Sequence, residues 1–131
     1  IVHEQTIISA HHNLRETQHD PTAHAEILAL KEASQILQRW RLQDCTLVCT
    51  LEPCPMCAGA LVHARIGRVI YGVQDPRTGS AGSVYSILQS KLLNHRIPAV
   101  HAGISQNACQ RILQTFFAAR RHTRLHSHNE K

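Results

Sequence analysis

The sequence contains no run approaching the ~20 apolar residues that a bilayer-spanning helix requires, so no membrane partner is expected. An apolar opening segment of the kind that directs export is also missing, and a cytoplasmic location is expected. No internal repeat or low-complexity segment stands out. Acidic residues are few: nine Asp and Glu stand against fourteen Lys and Arg, leaving a net charge of +5. That imbalance favours a polyanionic partner without establishing one. A disulfide framework is lacking too. Five cysteines are an odd number, and 131 residues can bury roughly two-thirds of the unfolded surface without covalent staples. At 43% apolar the composition is too hydrophobic for disorder. A starting Met is absent, and Ile1 reads as the end of a strand, so an N-terminal segment is expected to be missing. The expectation is one domain over residues 1–131.

Secondary structure follows from periodicity. Gln5 to Ala10 reads as a short strand, and residues 11 to 23 read as irregular, with Asp20-Pro21-Thr22 marking a helix entry. Apolar residues then recur at Ala25, Leu28, Ala29, Ala33, Ile36, Leu37 and Trp40, the spacing of a helix over about 24–39. Cys45 to Leu51 predicts a strand, and Pro55 opens a helix running to about Ala64. Arg68 to Val73 is nearly all apolar, as buried strands are. Strand, helix, strand with short loops is a βαβ unit, with parallel strands and a right-handed crossover. A Gly- and Ser-rich stretch follows (75–83), then a short helix over 84–92 and a brief strand near 98–102. A last helix carries Cys109, Ile112, Leu113, Phe116 and Phe117, and residues 122–131 form a basic, His-rich tail. The fold class is α/β: three layers, α/β/α, around a central mixed sheet of about five strands.

Chemistry concentrates in two short motifs. Cys54 and Cys57 lie three apart at a helix start, which puts both sulfurs on one face. Helix N-termini favour thiolates, the form that binds metal, and thiolates with an imidazole suit zinc. No second C-x-x-C exists, so a four-thiolate structural site would need Cys45, Cys49 and Cys109 to converge. A catalytic zinc needs only three protein ligands and an open position. His24, at the entry of the preceding helix, is the best third ligand. Glu26 sits two residues on, placed to reach a zinc-activated water without binding the metal. Zinc lowers the pKa of such a water from 15.7 toward ~7, and Glu26 would accept its proton and pass it to the leaving group. A lone C-x-x-C is also compatible with a buried pair or a redox motif, and one His among eleven is usually a surface or core residue. The pairing of His-x-Glu with Pro-Cys-x-x-Cys thirty residues later is far more specific; it is the known signature of zinc nucleobase deaminases.

Across nearly its whole length the sequence resembles the bacterial tRNA-specific adenosine deaminases (TadA type) of the cytidine-deaminase-like superfamily. The resemblance is carried by residues 11–17 (HHNLRET), 20–26 (DPTAHAE) and 50–59 (TLEPCPMCAG). Shorter matches are Arg65-Ile66-Gly67-Arg68-Val69, Tyr71-Gly72, Asp75-Pro76, Gly82-Ser83, Asn94-His95-Arg96 and Phe116-Phe117. It implies hydrolytic deamination of adenosine to inosine at wobble position 34 of a tRNA anticodon, with tRNA-Arg(ACG) the expected acceptor. In that chemistry activated water attacks C6 of the flipped adenine and ammonia leaves. It also implies a homodimer with one zinc per chain. Residue by residue, His24, Cys54 and Cys57 match the zinc ligands, Glu26 the proton shuttle, and Asn13 the base-contacting asparagine. The Ala25 amide, Leu51 and Pro53 fall where the family holds the purine. Asp75, Arg77, His95, Phe116, Phe117, Arg120 and Arg121 fall at or near its anticodon-loop surface. The family's first helix and full first strand have no counterpart here.

Both motifs also look like those of guanine deaminases and other free-base or nucleoside deaminases, so they do not choose the substrate. Residues 11–17, the 75–83 stretch and the Phe116–Arg121 segment favour the tRNA enzymes. Residues 111–131 hold Arg111, Arg120, Arg121, Arg124 and Lys131 against Glu130 alone, four of the five net charges. Cations beside aromatics suit a single-stranded loop, whose splayed bases stack on rings. The competing reading buries a phenylalanine in the helical stripe. A non-catalytic zinc or RNA-binding module is the alternative of another class, although an inactive subunit would usually lack the glutamate.

Overall fold

Cys45–Leu51 and Arg68–Val73 form adjacent parallel strands, and the helix Pro55–His63 crosses between them. The computed structural model describes residues 1–128. In chain order its elements are β1 (Val2–His3), β2 (Thr6–Ile7), α1 (Arg15–Gln18), α2 (Ala25–Leu37), β3 (Cys45–Leu51), α3 (Pro55–His63), β4 (Arg68–Val73), β5 (Ala99–His101) and α4 (Gln106–His128). The five strands lie in the order β2-β1-β3-β4-β5. β1 is antiparallel to both neighbours, and β3, β4 and β5 are mutually parallel. This is the mixed sheet that the sequence predicts.

Strand alternation sorts the two faces. Cys45 and Leu47 of β3, with Val69 and Tyr71 of β4, are buried against Ala29, Leu30 and Ala33 of α2 and Ala58, Leu61 and Val62 of α3. Burying each large aliphatic side chain here contributes about 1.5–3 kcal/mol. Gly72 faces the other way, where α4 brings Cys109 so close that a Cβ on Gly72 would lie 2.4 Å from its sulfur. Helices therefore cover both faces, giving the three α/β/α layers.

Several expectations change. The strand expected over Gln5–Ala10 is a two-residue strand, because Glu4 and Gln5 both take positive φ (48° and 63°) and reverse the chain. Val2 then pairs with Ile7 and His3 with Thr6 across that two-residue hairpin turn. No helix forms over 84–92. The amides of Val84 and Tyr85 donate to the Gly79 carbonyl, and those of Ile87 and Leu88 donate to Ser80, so the segment is bonded back to the Gly-Ser stretch. The final helix continues through His128, into the residues expected as a tail; Glu130 and Lys131 lie outside the described residues. Ile36 and Trp40, placed by periodicity on the core stripe of α2, are 52% and 57% exposed.

Candidate active site

Two helices begin at the same place. His24 is the N-cap of α2 and Cys54 the N-cap of α3, and neither side chain caps its own helix. Both are left to face the gap between the helix ends. His24 Nδ1 lies 3.6 Å from Cys54 Sγ and 3.4 Å from Cys57 Sγ, and the three donor atoms fall within 4.8 Å of one another. Tetrahedral zinc bonded at its usual N and S distances would separate N from S by about 3.6 Å. The donor set and its spacing fit zinc.

The sulfurs are not equivalent. A hydrogen bond from the Cys57 thiol, opposed by burial and helped by the Cys57 and Met56 amides and by His24, brings Cys54 down to about 5. Donation to Cys54, burial and the nearby Glu26 carboxylate push Cys57 up. Two other cysteines differ again: burial and Asp44 raise Cys45 to about 11, and burial raises Cys49.

Glu26 occupies the first turn of α2, its Oε2 3.6 Å from Cys57 Sγ. Ala25 opens the same helix, where a backbone N–H has no helical acceptor. Leu51 ends β3, and Pro53 is buried beside it. Asn13 Oδ1 accepts the Arg15 amide at 2.9 Å, which fixes the side chain over α1 and leaves its NH2 group to donate. Asp75 is similarly committed: its carboxylate accepts the Arg77 and Thr78 amides and the Thr78 hydroxyl. Arg77 is exposed.

On α4, Phe116 and Phe117 are both 51% exposed, with ring centroids 5.4 Å apart in an edge-to-face pair. Neither is core. Arg120 stacks 5.5 Å over the Phe116 ring and reaches Glu16 at 4.0 Å, which sets this platform beside α1 and Asn13. Arg121 is exposed on the same helix. His95 is not brought to the cluster. It lies with Arg65 beyond the C-terminal end of α3, the end opposite Cys54, and burial together with Arg65 lowers its pKa.

The comparisons agree with this geometry. The chain matches the family model of the MafB19-like deaminases over residues 1–121. It is 45% identical over 111 residues to the tRNA-specific adenosine deaminase of Bacillus subtilis, covering 85% of this chain and 68% of that one. The chain belongs to the tRNA-specific adenosine deaminases. A structure from studies of A-to-I editing by tRNA:A34 deaminases superposes with a TM-score of 0.79 at 36% identity, covering 85% of this chain and 80% of the other. Guanine deaminase from Bacillus subtilis is 41% identical, but over 62% of this chain and 52% of its own, with a TM-score of 0.55. The likeness to the tRNA deaminase structure is therefore broader than the likeness to the guanine enzyme.

One residue of this deaminase site escaped sequence reasoning. Glu52 is 2% exposed, and its carboxylate takes hydrogen bonds from the Asp75, Ala81 and Ser83 amides and from the Ser83 hydroxyl. The available signal was a carboxylate directly before Pro-Cys-x-x-Cys.

Proposed function

We propose that this chain hydrolytically deaminates adenosine to inosine at position 34 of a tRNA anticodon, with tRNA-Arg(ACG) the expected substrate. The observation that carries the reading is a carboxylate, Glu26, set beside a His24–Cys54–Cys57 donor cluster in a chain 45% identical to a tRNA-specific adenosine deaminase. His24, Cys54 and Cys57 would hold one zinc per chain. When bound, zinc acts as a Lewis acid that lowers the pKa of a water toward neutrality. Glu26 takes the proton of the attacking water as the C6–O bond forms. It then delivers that proton to the exocyclic nitrogen, and the C6–N bond breaks to release ammonia.

Asn13 and the Ala25 amide hold the base, with Leu51 and Pro53 walling the pocket. Asp75, Arg77, Phe116, Phe117, Arg120 and Arg121 meet the anticodon loop. Extruding a base costs a few kcal/mol, and stacking on an exposed ring returns ~1–3 kcal/mol per base. The protein is one domain and acts in the cytoplasm as a homodimer. An apolar groove of about 690 Å³ lies between α2 and α3, lined by Ile27, Leu30, Trp40 and Ala60. Among the described residues no helix is long and apolar enough to cross a membrane.

The test is conversion of a synthetic anticodon stem-loop, read by nucleoside chromatography, with free guanine as the control. Inosine in the RNA is the expected result. Xanthine from guanine, with no inosine in the RNA, would replace this reading by the guanine deaminase one.

A further inference from the structure

Glu52 is a buried carboxylate that the proposed chemistry does not use. Oε1 accepts the Asp75 amide at 3.2 Å and the Ser83 hydroxyl; Oε2 accepts the Ala81 amide at 2.9 Å and the Ser83 amide at 3.2 Å. Four donors and no donation is the pattern of an ionised carboxylate. Its own amide donates to Val73 at the end of β4, at 2.8 Å, and the Ser80 amide donates to the Pro53 carbonyl at 2.9 Å. The residue next along the chain but one is Cys54. Gly79 passes so close that a Cβ there would stand 2.5 Å from Glu52 Oε2 and from the Asp75 carbonyl. Only glycine leaves room for the carboxylate inside the loop.

We propose that Glu52 is a positioning residue that fastens segment 75–83 to the strand end carrying Cys54, and so sets where Asp75 and Arg77 meet the RNA. The proposal rests on the wobble-deaminase reading above. Segment 75–83 contains Gly79, Gly82, Ser80 and Ser83 and packs little side-chain surface of its own. Left unpinned, it would have to be ordered when RNA binds, which weakens binding. Glu52→Gln tests this because an amide cannot accept all four bonds. Whichever way it is turned, its NH2 group faces an amide donor.

The expected result for E52Q has three parts. KM for the stem-loop rises about tenfold, kcat stays within threefold, and zinc content remains one per chain. In the RNA-free protein, the Asp75, Ala81 and Ser83 amides exchange with deuterium at least tenfold faster. A purely structural role would lower kcat and zinc content together and leave KM of the zinc-loaded fraction unchanged; that outcome overturns the proposal. So does unchanged exchange at Ala81 and Ser83. If E52Q does not fold, Ser83→Ala removes one of the four bonds from an exposed position, and a three- to fivefold rise in KM is expected; an unchanged KM overturns the proposal. A wild-type protein that makes no inosine sinks the wobble-deaminase reading instead, and the exchange measurement still decides whether Glu52 pins the loop.

Discussion

Removing Glu26 and removing a sulfur from the cluster have different consequences, because one moves a proton and the other holds the metal. Glu26→Gln keeps the three donors, so zinc analysis should still give one metal per chain while inosine formation falls by ~10²–10⁴. Loss of zinc in that variant would contradict the assigned role. Cys54→Ala leaves two donors and should lose both zinc and activity, with activity not regained on adding zinc. Residue identity carried much of this: His24, Glu26, Cys54 and Cys57 are legible because their types and spacing are themselves the chemistry. Glu52 was not legible in the same way. Glu52 stands within the 50–59 match, but its role shows only where a loop twenty-three to thirty-one residues later turns its amides toward it.

At the scale of elements, α2 and α3 matter for where they start. His24 and Cys54 end irregular segments and begin helices, so each side chain is released from its own helix and both point into one gap. α4 has the opposite character, since only its first turns meet the sheet and its aromatic and cationic residues remain outside. Truncation after Phe117 should weaken stem-loop binding and flatten its salt dependence. The log–log slope should fall by roughly 0.7 for each phosphate of a single strand that the shortened helix no longer neutralises. Unchanged affinity and slope in a fluorescence titration would make this end a bystander.

The connection from α2 to β3 is fastened by Asp44, which accepts two bonds from Arg39 and one from His3 of β1. Although burial opposes it, these bonds hold the Asp44 pKa below its ordinary value. Stabilisation from Asp44 is therefore complete above the unfolded value of about 3.9 and is lost as pH falls through the lower folded value. Asp44 is half-exposed, so the effect is at most about 1 kcal/mol. Asp44→Asn should lower Tm slightly at pH 6 and leave the difference from wild type smaller at pH 3. Long elements were readable from periodicity, whereas 84–92 was not, because its amides are claimed by carbonyls at Gly79 and Ser80 that no local pattern reveals.

For the whole molecule, the proposed homodimer is tested at the apolar groove between α2 and α3. Ala60→Glu places a charge within it, and sedimentation should then move from dimer to monomer while zinc content is unchanged. A wild-type protein that sediments as a monomer would remove the dimer reading. The sequence by itself determined the element types, the parallel βαβ core and the set of residues able to hold zinc and move a proton, since periodicity and side-chain chemistry are local properties. Tertiary structure alone decided that the two helix starts meet within 4.8 Å and that both phenylalanines stay outside. It also decided that His95 lies beside Arg65, beyond the C-terminal end of α3, and that Glu52 sits inside its loop. Those are distances between segments far apart in the chain, and they exist only once the sheet has set the register between them.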